Sequence, residues 1–184
     1  KVLPPAVART IVEDPPTWSE EQLATLGSSG RLLERGIAHG TFSWAARLNE
    51  PTRALYESLL GTGEICVSLD MPFVSLGMPA KTNPKWPHAD RNSHAQGPAI
   101  CYQSILYVQD SLGEKSTTVI MPGSHITMYP HMMDSPLCPR KRHYVTLETI
   151  KSPELDAIWM AQARRVPMPA GSLLIFDSRL VHQG

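Results

Sequence analysis

Two histidines and one carboxylate, set far apart in the chain, restrict its fold more than any other feature. His182 stands at the far end of Gly171-Ser-Leu-Leu-Ile-Phe-Asp-Ser-Arg-Leu-Val-His182, a turn followed by an apolar strand. His88-Ala89-Asp90, an H-x-D triplet, lies long before it. On a strand, residues i and i+2 share a face, so His88 and Asp90 can grip one metal while Ala89 points away. Together the three make up the ligand set of a 2-His-1-carboxylate facial triad, which leaves positions on ferrous iron open for a co-substrate and dioxygen. The fold must therefore bring strands from distant parts of the chain to one point.

A chain of 184 residues is expected to form a single domain with a sizeable core. Seventeen basic and seventeen acidic residues cancel, so no electrostatic grip on nucleic acid or membrane is expected. No apolar run approaches the roughly 20 residues of a membrane-spanning helix. Cys66, Cys101 and Cys138 are scattered, without a C-x-x-C pair. That pattern argues against a disulfide framework or a structural zinc site and favours a reducing, intracellular compartment. The start, Lys1-Val-Leu-Pro-Pro, has neither an initiator Met nor a signal-peptide core, and reads as a processed or trimmed end.

No internal repeat stands out. Residues 1–17 carry four prolines and read as an extended segment. Ser19-Glu-Glu-Gln22 is a capping box that predicts a short helix ending near Gly27 or Gly30. Asn49-Glu-Pro-Thr opens another, with Pro51 in the first turn, Leu55, Leu59 and Leu60 as its apolar face, and Gly61 and Gly63 ending it. Short strands are expected over residues 65–69, 71–76, 100–108 and 117–121, with a proline-rich loop over 77–87. Ser152-Pro-Glu-Leu starts a further helix to about Ala163, and residues 165–168 read as extended. Helices first, then many short strands bearing metal ligands, point to a mainly β fold with flanking helices, a sandwich or jelly roll.

The motifs together resemble the phytanoyl-CoA dioxygenase family of iron(II)/2-oxoglutarate oxygenases, and they occur in its order. Trp18-Ser-Glu-Glu-Gln-Leu before Gly30-Arg-Leu-Leu-Glu resembles the family's N-terminal helix and first strand. Arg53-Ala-Leu-Tyr-Glu-Ser-Leu-Leu-Gly61 resembles its second helix, and Trp86-Pro-His-Ala-Asp90 its proximal ligand motif. Val119-Ile-Met-Pro-Gly-Ser-His125 is similar to its hallmark strand and turn, and the 170–182 stretch to the strand with its distal histidine. The resemblance implies a double-stranded β-helix (cupin-like jelly roll), with His88, Asp90 and His182 as metal ligands and catalytic centre. It also implies Fe(II), 2-oxoglutarate and dioxygen. Related halogenases replace the carboxylate with a small residue, so Asp90 points to hydroxylation or another oxidation. Glu114-Lys-Ser-Thr-Thr118 departs from the family in lacking the Gly often found before the hallmark strand.

The family also uses a cation, usually an arginine in the strand after the distal histidine, to bind the far carboxylate of 2-oxoglutarate. This sequence stops at Gly184, so the anchor is expected beyond Gly184 and the domain, residues 1–184, reads as incomplete at its C-terminus. Arg179 is a poor substitute: residues 178, 180 and 182 of one strand share a face, and 179 falls on the other.

Several residues carry two readings. His94 is a possible decoy ligand, but its place before Gly97-Pro98 reads as a loop. His125 belongs to the turn structurally, with a contact behind the metal as the alternative. Tyr102 shares a strand face with Ser104 while Gln103 faces oppositely; Tyr102 could hydrogen-bond the co-substrate, although a core tyrosine is the preferred reading. Pro139-Arg-Lys-Arg-His143 is a solvated loop or a grip for an anionic substrate handle. Met128, Met132 and Met133 are ordinary packing or part of a lid over an apolar substrate.

The favoured function is a dioxygenase that hydroxylates or otherwise oxidises an unactivated C–H bond of a small, partly apolar molecule. The iron and co-substrate carry the oxidation; the protein orients them and excludes water. A cupin-like metalloenzyme that does not use 2-oxoglutarate and a non-catalytic structural family member are the competing readings. The substrate and the oligomeric state are not legible in the sequence.

Overall fold

A computed structural model describes residues 40–67, 86–113 and 117–184. The expected Ser19 helix, the strand at Gly30 and the strand over 71–76 lie outside the described residues. The chain divides into two compact units, one of residues 1–81, 106–110 and 169–173, the other of residues 82–105, 111–168 and 174–184.

Among the described residues of the first unit are two helices, α1 (Thr41–Arg47) and α2 (Glu50–Leu60). Local chemistry sets the limits of α2. The Asn49 side chain accepts from the Thr52 N–H at 3.1 Å, satisfying one of the orphan donors of the first turn. At the other end Gly61 adopts φ 68°, the left-handed conformation that glycine reaches without a Cβ penalty, and donates to the Glu57 carbonyl. The predicted apolar face is not buried: Leu55, Leu59 and Leu60 are 41–45% exposed. Spacing alone identified a stripe, but no described element covers it. Residues 65–67, expected to begin a strand, have no regular structure.

The second unit contains a five-stranded sheet in the order β4–β1–β7–β3–β5, formed by Val145–Thr146, His88–Ala89, His182–Gln183, Val119–Ile120 and Arg164–Arg165. Every recorded neighbour pair is antiparallel. A second, two-stranded sheet pairs β2 (Tyr102–Tyr107) with β6 (Ser172–Asp177). Residues opposite one another across a ladder share a face. The register therefore lines up Thr146, His88, His182, Ile120 and Arg164 in one row. Their chain neighbours Ala89, Val145, Val181 and Met121 point the other way and are at most 2% exposed.

That opposite side is the hydrophobic core. The short helices α5 (Tyr129–Asp134) and α6 (Leu147–Ile150) and the longer α7 (Pro153–Gln162) supply much of the rest, and the short α4 (Ser124–Thr127) precedes the buried Met128. Met128, Met132 and Met133 belong to this core at 1%, 0% and 7% exposure, which decides for packing over a lid. α7 begins as its sequence predicts, with Ser152 Oγ accepting from the Leu155 N–H, and buries Leu155 and Trp159 one turn apart.

One correction concerns the last strand. The stretch to His182 is two strands, not one: β6 ends at Asp177, residues 178–180 turn, and β7 starts at His182 in the other sheet. Leu180 N–H donates to the Asp177 carbonyl to close that turn. The strand-face argument applied to Arg179 therefore has no basis.

Candidate metal centre

Backbone bonds to distant segments bracket the H-x-D triplet. Leu147 N–H donates to the Pro87 carbonyl, and Arg91 N–H to the Ser178 carbonyl. These bonds hold His88 and Asp90 against the strands on either side, so the triplet is placed by the tertiary fold and not by a local turn. His182 is placed by the turn that precedes it in the hallmark motif. Gly123, at φ 75°, bends the chain so that Ser124 is fully buried, and Ser124 Oγ accepts from the Val181 N–H at 2.8 Å. Met121 N–H donates to the Val181 carbonyl. Both polar groups of the residue before His182 are thus tied down.

His88, Asp90 and His182 converge, each offering a ligand atom within 4.8 Å of the others. His88 Nε2 lies 3.3 Å from Asp90 Oδ1 and His182 Nε2 lies 3.4 Å from Asp90 Oδ2. The histidine side chains are only 6% and 7% exposed, whereas the Asp90 side chain is about one-third exposed and forms the open side. His88 stacks on Trp86, with ring centroids 4.1 Å apart, and His182 packs against Phe176 at 4.7 Å.

The ring tautomers follow from the partners of Nδ1. His88 Nδ1 is 3.1 Å from the Trp86 carbonyl and His182 Nδ1 is 3.0 Å from the Leu180 carbonyl. A carbonyl oxygen only accepts, so each Nδ1 carries the hydrogen. In the neutral rings both Nε2 lone pairs then face the carboxylate. Burial pushes the Asp90 carboxyl up, but when a proton also sits on each Nε2, hydrogen bonding and charge from His182 and His88 outweigh it and hold the group well below the usual carboxylate range. Two lone pairs and a carboxylate facing one another repel unless a cation sits among them. Ligands in adjacent positions on a first-row metal, with bonds of about 2.1 Å, stand about 3 Å apart. The 3.3 Å between His88 Nε2 and Asp90 Oδ1 fits that donor set, and the carbonyl-bound Nδ1–H groups are the usual outer partners of metal-ligating histidines.

Gln103 was not foreseen as part of the site. Its Nε2 donates to Asp90 Oδ2 at 3.0 Å. Alternation along β2 carried the signal, since Gln103 faces away from Tyr102, but nothing local indicated which face would meet the H-x-D triplet. Gln103, not the candidate Tyr102, is the β2 side chain that reaches a proposed ligand.

The other candidates lie elsewhere. His94 sits in a short helix, α3 (Ser93–Gln96), and not in a loop. Its Nε2–H donates to the Met133 carbonyl, while Nδ1 accepts from Arg140. Lys141, Arg142 and His143 are exposed. His125 is half-buried. Arg179 donates from Nε and Nη2 to the two oxygens of Asp177. That carboxylate holds its guanidinium. Among the described residues, no helix is long and apolar enough to cross a membrane.

The sequence model of the family described as Phytanoyl-CoA dioxygenase (PhyH) matches residues 39–184, and the chain belongs to that family. Its members are generally iron- and 2-oxoglutarate-dependent dioxygenases acting on small molecules. No curated protein and no solved structure matches the chain.

Proposed function

We propose that this protein is an iron(II)- and 2-oxoglutarate-dependent oxygenase in which His88, Asp90 and His182 hold the metal. The observation that carries the reading is the convergence of two tautomer-fixed Nε2 lone pairs on one carboxylate. Membership of the family supplies the co-substrate. When bound, iron with 2-oxoglutarate and dioxygen supplies the oxidising power for an unactivated C–H bond. The chain's own residues have the quieter tasks. Trp86 and Phe176 fix the ring planes and keep water from the histidines, and the Trp86 and Leu180 carbonyls keep the lone pairs aimed. Asp90 stays anionic and neutralises one charge of a divalent ion. The two antiparallel sheets, five-stranded and two-stranded, fit the facing walls of a double-stranded β-helix, with the ligands on the inner row of the larger one.

Full-length protein supplied with Fe(II), 2-oxoglutarate and dioxygen is expected to form succinate, and Asp90→Ala to form none. Metal binding without 2-oxoglutarate binding would favour a cupin-like metalloenzyme that acts directly on a chelating substrate. Metal and 2-oxoglutarate binding without turnover on any substrate would favour a structural role.

A further inference from the structure

A carboxylate can bind a metal through one oxygen or both. Chelation through both takes two coordination positions, and a facial triad that must keep positions open uses one. Asp90 lies just past the end of β1, one-third exposed, and among the described residues no backbone N–H bonds either of its oxygens. What restrains it comes from the other sheet. Gln103 Nε2, on β2, donates to Asp90 Oδ2. β2 is in turn tied to the segment before β7, since Ser178 N–H donates to the Cys101 carbonyl. The same Ser178 accepts from Arg91 through its carbonyl, so one short turn sets the positions of both Asp90 and Gln103.

The amide cannot be reversed. Turned over, Gln103 Oε1 would face the carboxylate oxygen, acceptor against acceptor. As placed, Oε1 is buried without a hydrogen-bond partner. A buried unsatisfied acceptor costs about 1–3 kcal/mol, and such a group in a native structure calls for an explanation. Here the cost accompanies an orientation that places an N–H on Oδ2.

We propose that Gln103 is a positioning residue that occupies one oxygen of Asp90 and so holds the carboxylate to a single metal bond. This rests on the proposed metal site. The N–H draws electron density from Oδ2 and fills one of its lone pairs, leaving Oδ1, 3.3 Å from His88 Nε2, as the better donor. The near-isosteric Gln103→Met removes the donor while keeping the side chain's length. The unsatisfied Oε1 is removed with it, so the variant is not expected to lose stability for that reason.

Cobalt(II) provides the test, because its visible spectrum reports coordination number in the absence of turnover. Full-length wild type is expected to bind one cobalt, and Gln103→Met to bind it 10–100-fold more weakly, the usual effect of losing a partner behind a metal ligand. The variant's d–d spectrum should shift as the second carboxylate oxygen enters, and a purely structural role would not move it. If Gln103→Met fails to fold, Gln103→Asn, whose shorter amide falls short of Oδ2, should show the same spectral change. A folded variant with wild-type affinity and spectrum overturns the proposal while leaving the metal site standing. Wild-type protein that binds no cobalt, or His182→Ala that binds it as tightly, overturns both.

Discussion

His88 and His182 are direct cross-strand neighbours, paired Cα to Cα in the register of β1 against β7. Their ring centroids are 4.4 Å apart and the planes are tilted by 46°. A slip of one residue in either strand would turn one ring into the hydrophobic core, because side chains alternate faces with a period of two. The site thus depends on register, and the register is held by the buried face behind it.

Substitution at the histidines tests that dependence. His182→Ala should lower metal affinity by more than a hundredfold, measured by equilibrium dialysis against cobalt or iron. Its fold should survive, with a stability loss of about 1–2 kcal/mol from the contact with Phe176. Retention of wild-type affinity would remove His182 from the ligand set.

Ser124→Ala probes the hallmark turn. The variant leaves the buried Val181 N–H without its acceptor, which should cost about 1–3 kcal/mol in chemical denaturation. Since Val181 precedes His182, metal affinity should fall about tenfold as well. A stability loss with unchanged metal binding would show that β7 is positioned by its ladder alone.

The Asp177–Arg179 pair predicts an acid-sensitive contribution. Burial pushes the Asp177 carboxyl up, but hydrogen bonds and charge from Arg179 more than compensate and hold it below its usual value. A folded-state value below the unfolded one stabilises fully above about pH 4 and is lost as pH falls toward the folded value. Asp177→Asn should therefore cost about 1 kcal/mol near neutrality and flatten the decline of Tm below pH 4. Parallel Tm curves for variant and wild type across that range would contradict the assignment.

The core behind the sheet should be unforgiving. Met132 is fully buried, and Met132→Ala should destabilise by about 2–5 kcal/mol, read as a lowered urea midpoint. A lid residue would instead leave stability near wild type and alter substrate affinity.

Much of this protein follows from short-range chemistry. Asn49 and Ser152 cap helices through bonds to N–H groups three residues on, so the helix starts were legible without the fold. The metal-ligand candidates were legible because imidazole and carboxylate are the groups that suit such a metal, and because strand alternation puts His88 and Asp90 on one side of Ala89. Long-range contacts decided the rest. Gln103 became part of the site only because the fold brings β2 within hydrogen-bond reach of Asp90. Arg179 was taken up by Asp177 because the chain turns between β6 and β7, where apolar periodicity read one continuous strand. Met128, Met132 and Met133 had no readable destination until the sheet offered them a buried face, and the leucine stripe of α2 found none among the described residues. Caps and ligand chemistry are properties of a few adjacent side chains. Register, turns between sheets and burial depend on segments that meet only when the whole chain has folded.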